Sequence, residues 1–300
     1  MIAKMMDLIR HAQEHKYAVG YFESFNVDCM LAVVNAAEKR KSPVIIGFGG
    51  QFLSSPKRKY TENIYNYGAA AREIAKNATV PVAVLLNEAD DETMAYQGLL
   101  AGFNAVMYVK PGEPKEERIR ITRELCRTAH FLGIDVEGEF DELPSADTAA
   151  GAAAKANKTD VIEAKRIIEE TGIDVLSVAI GNVHILEGKY AALDFGLLEE
   201  LHSALPAPLA LHGGTGISDD DMKKAIRLGI SKVNVGTSVK RAYLNAVSEF
   251  LGVRNTREID PHVMLGWGGD EDMLSYGREA ITSRICEYID LFGSAGMLSY

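Results

Sequence analysis

The stretch that decides the fold is APLALHGGTGISDDDMKKAIRLGISKVNVG, residues 207–236. It opens with an apolar run, APLALH, passes through a glycine-rich loop into the helix-forming segment DDDMKKAIRLG, and returns to a second apolar run, KVNVG. The helical segment ends at a glycine, the residue that helix C-termini prefer. Two strands that are joined by a helix instead of a tight turn run parallel to each other. The stretch therefore predicts one strand–helix–strand unit of a parallel sheet.

The same unit recurs along the chain. Eight apolar runs rich in Val and Ile alternate with helical segments; they start at residues 17, 42, 80, 105, 134, 175, 207 and 232 and read YAVGYF, SPVIIGF, VPVAVLL, AVMYV, IDVEGE, VLSVAI, APLALH and KVNVG. Continuous apolar runs are typical of strands that are buried on both faces. Eight such units in about 250 residues have the size of a closed (β/α)8 TIM barrel, the fold that we predict. An open doubly wound sheet is the alternative, but no GxGxxG motif follows the first strand, which disfavours its dinucleotide-binding form.

No linker divides the chain, so residues 1–300 are predicted to form a single domain. Hydrophobic residues make up 47% of the sequence, enough for one large core. Residues 255–300 follow the last strand and are predicted to form a C-terminal helical extension, with one long helix that packs across the barrel.

The overall charge limits the partners of the protein. A net charge of -10 argues against a nucleic-acid or anionic-membrane surface, because either needs a clustered basic face. The three cysteines are widely separated and show no CxxC spacing, so they predict neither a disulfide framework nor a cysteine zinc site. The N-terminus lacks the apolar core of a signal peptide, and no run approaches about 18 apolar residues. We therefore expect a cytoplasmic protein without membrane spans.

Polar residues stand at the ends of the predicted strands, where the loops of such a barrel build its active site. They are Asn87, Glu88, Glu137, Glu139, His184, His212 and Asn234. His184 and His212 follow adjacent strands, which lie about 4.8 Å apart, so both imidazoles can reach one point. Together with Glu88 they form a set that suits a divalent transition metal with an open coordination position. The alternative is that each histidine only hydrogen-bonds a loop.

Two loops of small residues follow the seventh and eighth strands. The first, HGGTG, contains Gly213, Gly214 and Thr215; the second, NVGTS, contains Asn234, Gly236 and Thr237. Glycines let backbone N–H groups converge on an anion, and the helix that follows adds a favourable partial charge. Such a pair of loops is a common phosphate site in barrels, although a Gly-Gly pair can also be a simple turn. Lys189 could reach the same phosphate, or it could be a solvated surface lysine.

The chain resembles the class II, metal-dependent ketose-bisphosphate aldolases, the family of fructose- and tagatose-bisphosphate aldolases. The resemblance rests on the segments SPVII, VPVAV, GFNAVMY, IDVEGE, TGIDVLSVAIGNVH, LDFGLLEELHSAL, PLALHGGTGISDDDMKKAIRLGISKVNVGTS and FGSAG. It implies that His184 and His212 are ligands of a catalytic zinc and that HGGTG and NVGTS bind a substrate phosphate. It further implies that Asn234 contacts the ketose and that Asp147 takes the position of the proton-abstracting carboxylate.

The chain departs from this family after the third strand. The family reads His-x-Asp-His-Gly there, with the Asp as acid and base for the aldehyde oxygen and the last His as third zinc ligand. This sequence has Asn87 and Glu88 instead. A glutamate can replace an imidazole as ligand, with zinc, manganese or iron as the metal, but an amide cannot exchange a proton near neutral pH. Val109 stands at a family aspartate, and Ile185 at a family glycine that contacts phosphate.

These features predict a divergent metal-dependent carbon–carbon lyase that acts on a phosphorylated ketose through an enediolate. The metal on Glu88, His184 and His212 would polarise the substrate carbonyl, and Asn87 would position a hydroxyl group. The candidates for the missing acid are Glu139, Asp90, Asp147 and a water molecule.

Two other functions stay open. A sugar-phosphate epimerase or isomerase would use the same metal without cleavage, and a phosphosugar-binding protein would have lost catalysis. The binding partner in all three cases is a small phosphorylated sugar, and the resemblance favours a homodimer or homotetramer.

Overall fold

A computed structural model describes residues 1–141, 143–144, 158–183, 189–255 and 258–298. Eight parallel strands, paired in chain order, close into a barrel, which confirms the predicted fold. The strands are β1 (Val19–Glu23), β2 (Val44–Gly49), β3 (Val82–Ala89), β4 (Ala105–Tyr108), β5 (Asp135–Glu139), β6 (Val175–Ser177), β7 (Leu209–Leu211) and β8 (Ile230–Val235). Each of the predicted apolar runs overlaps one of these strands.

Helices alternate with the strands and cover the outside of the barrel. Those within the described residues are α1 (Met5–His15), α2 (Val27–Arg40), α3 (Gly50–Leu53), α4 (Ile64–Asn77), α5 (Glu92–Ala101), α6 (Lys115–Phe131), α7 (Val161–Thr171), α8 (Phe195–Ala204), α9 (Asp219–Arg227), α10 (Thr237–Gly252), α11 (Pro261–Met264) and α12 (Met273–Phe292). Several begin at a residue whose side chain accepts a hydrogen bond from the first turn, as N-caps do. Examples are Asn26, Asp91, Asp160, Asp194 and Ser218.

The amino end of the barrel is closed and apolar. Helix α1 buries Met5, Leu8 and Ile9 in a cluster with inward-facing strand residues such as Val19 and Ile45. The strands bury their outward-facing side chains against the surrounding helices in a second, larger cluster. Because apolar side chains fill the lower half of the barrel, a polar site is left at the carboxyl ends of the strands.

The long C-terminal helix α12, which we predicted to pack across the barrel, lies on the outside of the barrel. It packs against α2 and α10 in the outer ring and covers the outer face of β1. Phe292 stacks on Phe22 of β1, with ring centroids 6.3 Å apart. The outward-facing aromatic ring of β1 needs this cover, since it would otherwise be exposed to water. No helix in the described part of the chain combines the length and the apolar character that crossing a membrane requires.

Candidate active site

Strand β3 ends in an irregularity that turns two consecutive polar side chains toward the barrel mouth. Its pairing with β4 shifts register between Leu86 and Ala89. Glu88, within this shift, has the left-handed backbone conformation, with φ 47°. Neighbouring side chains of a regular strand point to opposite faces, yet Asn87 and Glu88 both line the central cavity. The irregularity therefore adds a carboxylate to the site that a regular strand would have directed outward.

Strand β5 brings two more carboxylates into the barrel. Glu137 and Glu139 are two residues apart and share the inward face of the strand. Glu137 has no exposed surface and Glu139 is 6% exposed. Ser177, the partner of Glu139 in β6, donates a hydrogen bond from Oγ to Glu139 Oε2 at 2.9 Å. The carboxylate of Glu139 is thus held at the upper layer of the barrel, where it lines the cavity.

His212, directly after β7, lies among these carboxylates. Its Nε2 donates to Glu137 Oε1 at 3.0 Å. Its Nδ1 is 3.0 Å from Glu139 Oε2 and 3.6 Å from Glu88 Oε1. Burial opposes a charged imidazole, but the carboxylates of Glu139 and Glu137 outweigh burial and raise the pKa of His212 to about 10. Without a cation at Nδ1, the ring is therefore protonated near neutral pH and its Nδ1 faces two acidic side chains; a metal ion bound at Nδ1 would displace the proton there.

A buried ion pair forms the floor beneath His212. Lys232, on β8, has no exposed surface, and its Nζ lies 2.8 Å from Glu137 Oε2. It also donates to the side-chain oxygen of Asn234. Burial acts to raise the pKa of Glu137, but Lys232 and His212 together hold it below its ordinary value. The sequence analysis did not single out Lys232, although its position two residues before Asn234 places both on the inward face of β8.

Another ion pair, also missed from the sequence, lies at the seam between β8 and β1. Glu23 ends β1 and pairs with Lys240 of α10. The ammonium group of Lys240 is 4.0 Å from the centroid of the Phe52 ring, a cation–π contact. A Cβ atom on Gly236 would come within 3.2 Å of Glu23 Oε1. The small residue in the loop after β8 thus leaves space for this carboxylate.

The two predicted phosphate loops lie side by side. Gly213 has φ 73°, and a Cβ atom there would lie 2.4 Å from the carbonyl oxygen of Val183, so this position requires glycine. The backbone N–H of Ser238, at the start of α10, donates to Thr215 Oγ1 at 3.2 Å. This bond joins the loop after β7 to the loop after β8.

The structure brings most of the predicted site residues to one cavity of about 650 Å³. Its lining includes Asn87, Glu88, Glu139, His212, Gly213, Gly214, Thr215, Asn234, Gly236 and Thr237. Lys189 is exposed and does not belong to this lining, and Asp90 instead accepts a hydrogen bond from Ser54. His184, Ile185 and Asp147 lie outside the described residues.

Two donors at the cavity, Glu88 and His212, have a separation that suits a divalent cation. The described residues contain no group of three or more His, Cys, Asp or Glu side chains that could bind a metal ion by themselves, and the predicted ligand His184 lies outside them. Zinc bonds of about 2.0–2.2 Å in a tetrahedral site put neighbouring ligand atoms roughly 3.3–3.6 Å apart. The 3.6 Å between His212 Nδ1 and Glu88 Oε1 is close to that separation.

Comparison with known proteins agrees with the geometry. A model of the family described as fructose-bisphosphate aldolase class-II matches residues 3–297. The chain is 33% identical over 320 residues to the fructose-bisphosphate aldolase of Thermus caldophilus, with 99% of both chains covered. It is 32% identical over 299 residues to the uncharacterized protein YdjI of Escherichia coli K12, again over 99% of both.

Solved structures extend this similarity to three dimensions. The crystal structure of the YdjI aldolase from Escherichia coli K12 superposes with a TM-score of 0.82 at 31% identity, over 100% of both chains. The family model and these relatives span nearly the whole sequence, including both glycine loops and the end of β3. The chain therefore belongs to the class-II fructose-bisphosphate aldolase family.

Proposed function

We propose that this protein is a metal-dependent carbon–carbon lyase, of the aldehyde-lyase type, that cleaves a phosphorylated ketose. The observation that carries this proposal is the meeting of Glu88, Glu139 and His212 at one cavity that two glycine loops also line. Family membership supports lyase chemistry on a sugar phosphate. The altered end of β3 supports a site that has been rebuilt for a substrate of its own.

A divalent cation would be held by Glu88, His212 and the predicted ligand His184. The oxygen and imidazole donors suit Zn²⁺ best, with Mn²⁺ and Fe²⁺ as alternatives. When bound, such a cation supplies Lewis-acid polarisation of the substrate carbonyl. Glu88 is oriented for this role by Gln51, whose side-chain amide donates to its carboxylate.

The proton transfers fall to the remaining side chains of the cavity. Asn87 is 2% exposed, and its Oδ1 lies 3.4 Å from Asn234 Nδ2. Its amide can orient a substrate hydroxyl group but cannot accept the proton of that group. Glu139 is a carboxylate of the described lining and can take up and release a proton, and Asp147 is the second candidate. We propose Glu139 as the acid and base that replaces the missing aspartate.

The substrate phosphate would bind at the loops after β7 and β8. Backbone N–H groups near Gly213 and Gly236, together with the first turn of α10, supply donors and a favourable helix dipole. The hydrogen bond from Ser238 to Thr215 holds the two loops side by side. A local site of this kind reconciles an anionic substrate with a protein of net charge -10.

An epimerase is the second candidate, and the observation that favours it is Asn87 itself. Cleavage needs a group that handles the proton of the hydroxyl that becomes the aldehyde, whereas inversion next to a carbonyl does not. If neither Glu139 nor Asp147 serves that hydroxyl, the same site would exchange a proton and change stereochemistry without breaking a bond.

The experiment that separates these functions is product analysis on a panel of ketose mono- and bisphosphates, with the protein supplied with Zn²⁺, Mn²⁺ or Fe²⁺. A lyase releases a triose-sized fragment, which NMR and mass spectrometry detect. An epimerase returns a sugar phosphate of unchanged mass and altered stereochemistry. Binding without any product would leave only a phosphosugar-binding protein and refute both enzymes.

Variants of cavity residues, compared with a control variant outside the cavity, show whether the candidate active site forms the products. We expect His212→Ala to lower cleavage by more than about 100-fold, because it removes a ligand and not merely its support. His262→Ala, on the exposed helix α11, should keep the parent activity. Glu139→Gln should abolish cleavage while metal binding persists, if Glu139 is the acid and base.

A further inference from the structure

Tyr21 brings a hydroxyl group into the wall of the candidate active site. It is the middle residue of β1 and is only 1% exposed. Its Cα partner on β8 is Asn234, and paired residues of neighbouring strands share one face of a sheet. Both residues accordingly line the cavity. The sequence analysis assigned no role to Tyr21, and the proposed mechanism does not use it.

The phenol oxygen of Tyr21 has no hydrogen-bond partner among the described residues. Strand β1, its neighbours β2 and β8 and the loops after these three strands all belong to that part of the chain. Tyr108 on β4 differs in this respect, since it is 2% exposed and its hydroxyl donates to Glu113 Oε2 at 2.7 Å. A buried hydroxyl group without a partner is unfavourable. The hydroxyl of Tyr21 is therefore available to a ligand that enters the cavity.

The surroundings of Tyr21 fix its ring and keep its proton in place. The ammonium group of Lys232 lies 5.2 Å from the centroid of the ring, a cation–π contact. Burial raises the pKa of Tyr21 well above its ordinary value of 10, and nearby carboxylates add to the rise. The phenol is therefore a rigidly placed donor throughout the neutral pH range.

Tyr21 lies on the side of the cavity where Asn87 replaces the aspartate of the family. Asn234, the strand partner of Tyr21, has its Nδ2 3.4 Å from Asn87 Oδ1. Strand β2 separates β1 from β3, but its residue beside Asn87 is Gly49, which has no side chain. The phenol of Tyr21 and the amides of Asn87 and Asn234 therefore line one side of the cavity.

Glu139, the proposed acid and base, lies on the other side. In a closed ring of eight strands, β5 is opposite β1, and Glu139 and Tyr21 both line the cavity between these strands. A substrate hydroxyl between them can release its proton to Glu139 while its oxygen accepts a hydrogen bond from Tyr21.

We infer that Tyr21 is a catalytic residue, which donates a hydrogen bond to the substrate oxygen that becomes the aldehyde and stabilises the negative charge developing there. The inference rests on the proposed function for the rest of the reaction. During cleavage the hydroxyl proton passes to Glu139, the carbon–carbon bond breaks, and its electron pair stays with the fragment that carries the ketone. Tyr21 keeps its own proton throughout. A fixed donor of this kind is worth most in the transition state, where the charge on the oxygen appears.

The stability of the free protein tests whether the hydroxyl group lacks a partner. Tyr21→Phe removes the hydroxyl but keeps the ring beside Lys232, so its urea midpoint should equal or exceed that of the parent. Tyr108→Phe is the matched control, and it should lower the midpoint because it removes the bond to Glu113. A comparable loss in Tyr21→Phe would show that the hydroxyl is bonded within the protein, and would overturn the inference.

Contact with the substrate can be measured whether or not the substrate is cleaved. Protein labelled with [ζ-¹³C]tyrosine is supplied with Zn²⁺ and titrated with the ketose phosphates of the product analysis, and separately with inorganic phosphate. The Tyr21 signal is identified by its loss in Tyr21→Phe. We expect it to shift and to saturate with a ketose phosphate but not with inorganic phosphate, while the Tyr108 signal stays unchanged. A Tyr21 signal that none of the ketose phosphates moves would overturn the inference.

Steady-state kinetics test the catalytic role itself. For the ketose phosphate that the parent cleaves, Tyr21→Phe should lower kcat about 100-fold and change KM by less than about 3-fold. The two constants separate because the hydrogen bond strengthens only as charge develops on the oxygen. Tyr108→Phe should keep both constants, since Tyr108 does not belong to the lining of the cavity.

The outcomes separate this inference from the proposed function. An unchanged kcat in Tyr21→Phe would overturn the inference and leave the lyase standing. A higher KM with an unchanged kcat would likewise overturn it, because Tyr21 would then contribute to binding alone. A saturating shift of the Tyr21 signal without cleavage of any ketose phosphate would support the hydrogen bond to the sugar and refute the lyase.

Discussion

At the scale of single residues, the stability of the buried ion pair beneath the cavity depends on Glu137, whose carboxylate contacts both His212 and Lys232. Glu137 is bonded on one oxygen by His212 and lies 2.8 Å from the ammonium group of Lys232 on the other. Lys232 has Glu137 as its carboxylate, whereas His212 also faces Glu139. Substitutions at Glu137 and at Lys232 should therefore differ in their effect on the free energy of unfolding.

We predict that Glu137→Gln lowers the free energy of unfolding more than Lys232→Met does. Glu137→Gln removes the carboxylate that contacts the buried Lys232 among the described residues, and removing one partner of a buried ion pair costs about 3–5 kcal/mol. Lys232→Met leaves Glu137 hydrogen-bonded to Nε2 of His212, so its cost should be smaller. Urea unfolding followed by fluorescence measures both values. Equal losses, or a larger loss for Lys232→Met, would show that His212 does not stabilise the Glu137 carboxylate.

The backbone of Glu88 gives a second prediction at this scale. A residue with a Cβ atom pays about 1–2 kcal/mol in the left-handed conformation that Glu88 adopts, and glycine avoids that strain. Glu88→Gly should therefore be about 1 kcal/mol more stable than Glu88→Ala. Glu73, exposed within α4, supplies the matched control. At this position the alanine variant should be the more stable one, since glycine inside a helix is about 1 kcal/mol less stable than alanine. If the alanine variant were the more stable one at both positions, backbone strain at Glu88 would be ruled out.

At the scale of the elements, helix α1 is fixed to the barrel by a buried acid. Asp135 at the start of β5 accepts a hydrogen bond from the backbone N–H of Met6 at 2.9 Å. Burial raises the pKa of Asp135 above its ordinary value of 3.8, and the bond from Met6 offsets only part of this rise. The folded protein therefore keeps the proton of Asp135 to a higher pH than the unfolded chain does.

This shift predicts a pH-dependent loss of stability. As the pH rises from about 3.8 through the raised folded pKa, the folded state must release a proton that the unfolded chain has already lost, so Asp135 makes folding less favourable. Asp135→Asn keeps an oxygen for Met6 and carries no charge. Its free energy of unfolding, relative to the parent protein, should increase between pH 4 and pH 7. A difference that is constant over this range would contradict the account.

The elements also show where sequence reasoning succeeds and where it stops. The strands could be predicted because each is a continuous apolar run, and Glu139, His212 and Asn234 could be placed because they stand at strand ends. Glu88 points inward because the pairing of β3 with β4 shifts by one residue. Nothing in the sequence LLNEADD predicts this shift. The position of α12 depends on which outer face is left uncovered, and this is decided only when the barrel closes.

At the scale of the whole molecule, barrel closure creates the pairs that the sequence analysis missed. Glu137 and Lys232 are separated by 95 residues, and Glu23 and Lys240 by 217. Each pair joins residues that are far apart along the chain, so neither could be recognised from sequence spacing. Among the residues that the structure describes, three carboxylates line the cavity, Glu23, Glu88 and Glu139, within a protein that is acidic overall.

The central claim is that Glu88 and His212 hold a catalytic divalent metal, and metal content tests it most directly. Elemental analysis would compare the protein, purified without chelator, with Glu88→Ala, His212→Ala and the control His262→Ala. We predict about one transition-metal ion per chain in the parent and in His262→Ala, and little or none in the other two variants. A parent protein that takes up no zinc, manganese or iron when these are supplied, or variants at Glu88 and His212 that keep the full amount, would contradict the claim.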